Sequence, residues 1–216
     1  MITTKAHQAF HLLDSVRVHS ASLQEAKKRY ADQLAPGFHL IDHLRNDEMA
    51  LSRYMAGLLD IIGLHSQGDL FLRSLTEMLG PCAAWINPRE LVSVELEKRA
   101  NGQRRLDIYL VFRNGVVGIE NKPWAGDQKD QLSDYADFLK ASAAGRNWLL
   151  VYVCNDDPAE HSIKPDALQV LTASGNYCRF DFYQLTDWLE SCGRFSRAPK
   201  VRLFVDELAS YVRKEV

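Results

Sequence analysis

Three consecutive stretches of alternating apolar and polar residues constrain the fold of this chain more than any other feature. They are VSVELEKR (92–99), RLDIYLVF (105–112) and VVGIENK (116–122), separated by Asn101-Gly102 and Asn114-Gly115. A period of two is typical of strands with one buried face, and Asn-Gly favours tight hairpin turns. The sequence therefore predicts an antiparallel meander of three strands.

Helical patterns precede the meander. Residues 4–34 predict two polar amphipathic helices on either side of Ser20-Ala21-Ser22, and Pro36-Gly37 ends them. A first core helix is predicted from the helical spacing of Leu51, Met55, Leu58 and Leu59, with Asn46 or Asp47 as its N-terminal cap. A second helix is predicted over residues 69–79, before Gly80-Pro81.

After the meander, residues 127–143 predict a helix, and NWLLVYVC (147–154) is a continuous apolar run typical of a buried central strand. Beyond a polar loop, LQVL (168–171) and CRFDFY (178–183) are interpreted as short strands. The last predicted helices cover residues 184–192 and 198–214. The order helix, three strands, helix, strand predicts an α/β fold with a mixed central sheet flanked by helices.

The length of 216 residues favours one domain over residues 1–216. We divide it into a helical extension (1–40), a core (44–154) and C-terminal strands and helices (155–216). With 46% apolar and 25% charged residues, the chain has the composition of a soluble globular protein.

The sequence carries no signal for a membrane or for a disulfide framework. Without an apolar run of about 18–20 residues or a signal-peptide pattern, we expect a cytoplasmic protein with no membrane partner. No CxxC pair or metal-site spacing links the four cysteines, which predicts free thiols. A net charge of -2 gives no bulk attraction to nucleic acid.

One face of the predicted hairpin gathers ionisable side chains. A loop at Asn114-Gly115 sets Asp107 opposite Lys122 and Tyr109 opposite Glu120. The two carboxylates then lie diagonally, with Cβ atoms about 7 Å apart. The opposite face is an apolar set suited to packing against a helix, formed by Ile108, Leu110, Phe112, Val117 and Ile119.

Two carboxylates this close repel each other unless a cation lies between them. Asp107 and Glu120 suit a divalent ion, magnesium or its substitute manganese, and the backbone carbonyl of Asn121 is a further candidate ligand. Beside such a metal, the Lys122 ammonium stabilises developing charge or orients the nucleophile, an arrangement that cleaves phosphodiesters. The alternative is a surface hairpin with a cross-strand ion pair between Asp107 and Lys122.

Asp107, followed by Glu120-Asn121-Lys122 at the end of the next strand, resembles the PD-(D/E)XK nuclease superfamily. NDEMALSRYMAGLLD, HSQGDLFLRSL and AGDQKDQLSDYADFL are similar to the helices of a mostly bacterial branch with an ENK signature. The resemblance covers residues 44–154 and implies a restriction-endonuclease-like αβββαβ core. Two departures are Leu106 in place of the proline before the aspartate and the polar Asn121 in the middle of the signature.

The resemblance also implies roles for three residues outside the signature. Glu48 on the first core helix is expected to reach a metal-bound water, although a glutamate there also stabilises the helix dipole. Gln131 and Tyr135 match a Q-x-x-x-Y element and are expected to contact the nucleic-acid backbone or Lys122. Tyr135 is equally suited to the core.

Other polar residues are weaker candidates. His7 with His11 and His39 with His43 have zinc-ligand spacing but no third ligand, which favours surface histidines. His65 matches the segment that joins the helices of the branch and is expected to border the cleft. A basic cluster is interpreted as a solvated hairpin tip rather than a clamp on nucleic acid; its members are Lys98, Arg99, Arg104 and Arg105.

These patterns favour a magnesium-dependent nuclease that hydrolyses DNA, with RNA as the less favoured substrate. The main alternative is a non-catalytic protein of the nuclease fold that binds nucleic acid or a protein partner. A third hypothesis is an interaction module in which residues 1–40 bury a partner. The sequence is compatible with a homodimer as well as with a monomer.

Overall fold

The computed structural model describes residues 2–29, 47–102 and 104–216. The chain divides into two compact units, Met1–His39 and Leu40–Val216. In the first unit, the described residues form one helix, α1 (Ile2–Arg29). The predicted break at Ser20-Ala21-Ser22 is therefore wrong, because serine and alanine interrupt a helix far less than glycine or proline. Residues 30–34 and Pro36-Gly37 lie outside the described part.

The second unit alternates helices and strands. Its helices are α2 (Glu48–Leu59), α3 (Leu70–Leu79), α4 (Gln131–Ala143), α5 (Pro165–Ala173), α6 (Phe182–Phe195) and α7 (Pro199–Glu215). Its strands are β1 (Leu91–Arg99), β2 (Arg105–Phe112), β3 (Gly115–Asn121), β4 (Asn147–Val153) and β5 (Tyr177–Phe180). Short 3-10 turns, Gly80–Ala83 and Pro88–Glu90, lead from α3 into β1.

The described strands form one five-stranded sheet in the order β1-β2-β3-β4-β5. The pairs β1–β2 and β2–β3 are antiparallel, whereas β3–β4 and β4–β5 are parallel. This mixed sheet with flanking helices confirms the predicted α/β class. The order from α2 through the meander, α4 and β4 matches the restriction-endonuclease-like core.

The register of the β2–β3 hairpin differs from the prediction by two residues. Phe112 pairs with Gly115 and Val111 with Val116, so the loop is Arg113-Asn114 rather than Asn114-Gly115. Gly115 is the first residue of β3, and the position admits only glycine because a Cβ there would collide with the Asn147 carbonyl oxygen and lie 2.6 Å from the Trp85 ring. A shift of two preserves which face each side chain occupies.

The two faces of the sheet carry separate apolar clusters. The predicted face, formed by Ile108, Leu110 and Phe112 on β2 and by Val117 and Ile119 on β3, packs with α2, α3, α6 and α7. Side chains of α4, including Leu132 and Leu139, pack against the other face. The N-terminal cap of α2 is Asp47, whose side chain accepts a hydrogen bond from the Ala50 amide at 2.8 Å. Glu48, at the next position, therefore begins the helix.

Several C-terminal predictions need correction. LQVL lies in α5, not in a strand, since Pro165 at the first turn favours a helix there. CRFDFY is strand only up to Phe180, because Asp181 forms a capping box with Gln184 and starts α6. The helix predicted from residue 127 begins at Gln131.

Two expectations concern the chain as a whole. Cys82, Cys154, Cys178 and Cys192 are free thiols, as predicted. Among the described helices, none has the length and apolar character needed to cross a membrane.

Candidate active site

The hairpin brings the predicted acids and the lysine into one cavity. Asp107 lies on β2, Glu120 on β3 and Lys122 directly after β3. Extending the observed register by one residue sets Asp107 directly opposite Glu120 rather than diagonally. All three line a cavity of about 690 Å³, together with Glu48 from the start of α2. The cavity therefore collects groups from two strands and one helix.

Glu120 is the most enclosed acid of this cavity, with 2% of its surface exposed. Its Oε1 atom lies 2.9 Å from Lys122 Nζ and accepts a hydrogen bond from Gln131 Nε2 at 2.8 Å. Its Oε2 atom has no hydrogen-bond partner in the described chain. The two oxygens of one buried carboxylate thus differ sharply in their environment.

Asp107 is held by the backbone of the signature. The amide of Asn121 donates to Asp107 Oδ2 at 2.7 Å. The Asn121 side chain is fully buried and donates from Nδ2 to Ser52 Oγ on α2 at 3.2 Å. Asn121 therefore ties the acid pair to the first core helix, and a ligand role for its carbonyl stays a prediction.

The electrostatics of the acids reflect their burial. Burial raises the pKa of Asp107 to about 7, although the hydrogen bond from the Asn121 amide opposes the shift. Burial, reinforced by the charge of Asp107, raises the pKa of Glu120 to about 8. Burial alone would lower the pKa of Lys122, but the surrounding carboxylates, Glu120 foremost, raise it. Lys122 accordingly stays positively charged.

Glu48 contacts the lysine. Its Oε1 lies 3.8 Å from Lys122 Nζ, and partial burial raises the pKa of this half-exposed carboxyl. As the first residue of α2, Glu48 also lies where a negative charge stabilises the helix dipole. Both predicted roles fit this position.

Gln131 and Tyr135 lie on the first turns of α4, next to Glu120. Besides its bond to Glu120, Gln131 Nε2 donates to Tyr135 Oη at 3.3 Å. The Tyr135 hydroxyl donates to the Arg105 carbonyl at 2.6 Å, and its ring is buried in the α4 cluster. Since these groups are engaged within the protein, a contact with nucleic acid stays a prediction for both.

The basic cluster divides into two parts. Lys98 pairs with Glu95 at 2.7 Å, which fits the predicted solvated tip. Arg104 and Arg105, however, line the cavity that holds the acids, and Arg105 lies 3.7 Å from Glu97. The interpretation as a solvated tip is therefore wrong for Arg104, whose guanidinium is engaged within the protein, whereas Arg105 is exposed as predicted.

None of the histidines that the structure describes lines this cavity. His65 lines a different one and hydrogen-bonds the Asp60 carbonyl at 2.8 Å, so the expectation that it borders the cleft is wrong. His7 and His11 are exposed on α1, as expected of surface histidines. His39 and His43 lie outside the described residues.

Three residues near the site were not singled out from the sequence. Ser52 lies one turn after Glu48, and that spacing on a helix was the available signal. Gln128 lies three residues before Gln131 and donates its amide to Gln131 Oε1 at 3.0 Å. Glu97 lines the cavity with a positive φ of 51°, which no local pattern indicates.

The oxygen donors in this cavity suit a hard divalent cation that is bound by only a few protein ligands. Within the described residues, no three His, Cys, Asp or Glu side chains come together as a metal cluster. The unpartnered Oε2 of Glu120 and the carboxyl of Asp107, both with raised pKa values, nevertheless favour a positive ligand. Backbone carbonyls and water commonly complete such a set.

Two acids and a lysine at the open end of a β-hairpin, in this mixed sheet, are the arrangement expected of a phosphodiesterase. A family model described as the PD-(D/E)XK nuclease superfamily matches residues 38–207. This chain belongs to that superfamily, and the match extends well beyond the predicted 44–154. Comparison with curated proteins and with solved structures gave no match.

Proposed function

We propose that this protein is a divalent-metal-dependent nuclease that hydrolyses phosphodiester bonds, with DNA the favoured substrate over RNA. The observation that carries the proposal is the buried Glu120 carboxylate, with Oε1 against Lys122 and Oε2 without a partner in the described chain. Leaving a buried polar atom unpaired costs about 1–3 kcal/mol. A fold that tolerates this cost is expected to use the atom for a ligand.

Magnesium, or manganese in its place, would supply a Lewis acid that polarises the phosphoryl oxygen and lowers the pKa of a bound water. Asp107 and Glu120 are the residues we propose to hold it. The backbone carbonyl of Asn121 and, through water, Glu48 would complete the set. Carboxylate and carbonyl oxygens are the ligands that magnesium prefers.

Lys122 is the proposed electrostatic catalyst. The carboxylates around it keep its ammonium protonated, and its Nζ lies close to both Glu120 and Glu48. A fixed positive charge in a shielded cavity stabilises the extra negative charge that phosphoryl oxygens carry in the transition state. Asp107, Glu120 and Lys122 are thus the proposed catalytic residues.

Nuclease assays on supercoiled, linear and single-stranded DNA and on RNA test this proposal. We expect cleavage with magnesium or manganese, loss on chelation, and a roughly 10²–10³-fold lower rate for Lys122→Ala. Lys98→Ala is a matched control, because Lys98 also pairs with a glutamate but lies outside the cavity lining. Equal activity of both variants would contradict the proposed role of Lys122.

Calorimetry with magnesium separates the alternatives. A nuclease of this class binds the ion, and the binding is weakened in Glu120→Ala. Nucleic-acid binding without metal binding or cleavage would instead support a non-catalytic protein of the nuclease fold.

A further inference from the structure

Arg104 connects the strand that carries Asp107 with the helix that carries Gln131. It lies directly before β2, and its guanidinium reaches the segment that leads into α4. Its Nη1 atom donates to Gln128 Oε1 at 3.3 Å, its Nη2 to the Lys129 carbonyl and its Nε to the Asp134 carboxylate. One side chain thus holds three groups around the start of α4.

These contacts continue to the buried acid. The backbone amide of Gln128 donates to Gln131 Oε1 at 3.0 Å, which fixes the orientation of the Gln131 amide group. In this orientation Nε2 points its two hydrogens at Glu120 Oε1 and Tyr135 Oη, at 2.8 and 3.3 Å. Arg104 is therefore linked to Glu120 through the side chain and backbone of Gln128, which hold one another covalently, and through the side-chain amide of Gln131.

These contacts fix the orientation of the two Glu120 carboxylate oxygens. With Gln131 and Lys122 both on Oε1, the carboxylate is prevented from rotating freely, and Oε2 is left without a partner in the described chain. A ligand oxygen needs a fixed direction as well as charge, because outer partners orient the groups that bind a metal. Releasing the Gln131 amide would remove one of the two contacts that set this direction.

We propose that Arg104 is a positioning residue for Glu120, acting through Gln128 and Gln131 to keep Oε2 available to a ligand. The identity of that ligand as magnesium rests on the proposed function, but the positioning itself does not. Arg104 is not expected to touch the reacting phosphate.

Arg146 offers a matched control at the other end of the same helix. It follows the C-terminal end of α4, where its guanidinium donates to the carbonyls of Phe112 at 3.2 Å and Arg113 at 3.3 Å. Both arginines thus fasten one end of α4 to β2 or its turn. Only Arg104 leads to Glu120, so the pair separates positioning from general support of the fold.

The direct readout is the side-chain amide resonance of Gln131 in metal-free, ¹⁵N-labelled protein, assigned with Gln131→Ala. In Arg104→Ala we expect the Gln131 proton signals to move towards those of exposed glutamines, and in Arg146→Ala to stay at their wild-type positions. Arg104→Lys should give an intermediate shift, since one ammonium cannot donate to all three acceptors. Unchanged Gln131 signals in a folded Arg104→Ala protein would overturn the proposal.

Magnesium titration gives the second readout. We expect Arg104→Ala to bind the ion about 10–100-fold more weakly and Arg146→Ala to bind it like the wild type. Equal losses in both variants would show that α4 is merely destabilised, and would also overturn the proposal. If the wild type bound no magnesium, the proposed function would fail while the Gln131 resonances still decided the positioning.

Discussion

The two ends of the β2–β3 hairpin are equally buried but opposite in chemistry. At the turn end, Phe112 and Val116 are packed among apolar side chains, and Trp85 lies against Gly115. At the open end, Asp107 and Glu120 are ionisable groups in the same two strands, with 7% and 2% of their surfaces exposed. Burial of apolar surface stabilises a fold, whereas burial of charge destabilises it. The open end therefore sacrifices stability, which is typical of a functional site.

The largest expected effect comes from neutralising the open end. Glu120→Gln keeps the shape of the side chain but removes the charge that a cation needs. We expect cleavage to fall about 10²–10³-fold, measured as the single-turnover rate at saturating magnesium. Because the fold disfavours a charge at this position, the thermal unfolding temperature of the metal-free variant at pH 8 should be at least as high as that of wild type. A variant that cleaves normally would contradict the assigned role.

A substitution at the turn end should lower the stability of the protein and leave its cleavage rate unchanged. Gly115→Ala forces a Cβ into the Trp85 ring and the Asn147 carbonyl, which we expect to destabilise the protein by about 3 kcal/mol in denaturant unfolding. The rate per folded molecule should be unchanged. Gly57→Ala is the control, since a Cβ there meets no atom within 4 Å and alanine favours a helix. A large loss of rate in Gly115→Ala would mean that the two ends are not independent.

The smallest expected effect is a pH dependence of the metal-free protein. The pKa values of Asp107 and Glu120 are raised to about 7 and 8, so the folded state binds protons that the unfolded state has released. The contribution of these two groups to stability is greatest below their unfolded-state pKa values near 4, and it is lost progressively as the pH rises until both are ionised in the folded protein, above about pH 8. We expect a loss on the order of 2 kcal/mol between pH 6 and pH 8.

Denaturant unfolding at several pH values measures this loss. Glu120→Gln should reduce the slope of the free energy of unfolding against pH. Saturating magnesium should flatten the same slope, because the ion competes with the protons. A metal-free protein that became more stable from pH 6 to pH 8 would contradict the raised pKa values.

The alternation of the meander could be predicted from sequence, but its register could not. A period of two decides which side chains share a face, so Asp107, Glu120 and Lys122 followed from local pattern alone. The turn position depended on Trp85 and Asn147, which are distant in sequence from Gly115 and exclude a side chain there. An Asn-Gly pair alone does not contain that information.

Longer elements were predicted better than short ones. The helical spacing from Leu51 to Leu59 identified α2, whose cap in the structure is Asp47, one of the two predicted candidates, and the apolar run from residue 147 identified β4. LQVL was wrong because four apolar-rich residues fit either a strand or a helix. Ser52 was not predicted and Arg104 was interpreted only as part of a solvated tip, because their importance lies in tertiary contacts with Asn121 and with the start of α4.

The parallel pairing of β3 with β4 bears on how proteins of this architecture can diversify. Asn121 pairs with Val153, and the Lys122 amide donates to the Val153 carbonyl at 2.8 Å. The main chain of the signature is therefore held by hydrogen bonds to an interior strand of the sheet. Mutational drift can hardly relocate it. Changes in substrate preference are expected instead from Asn101, Arg104 and Gln128, which line the same cavity without belonging to the sheet. One rigid active site can thereby be combined with different substrate preferences.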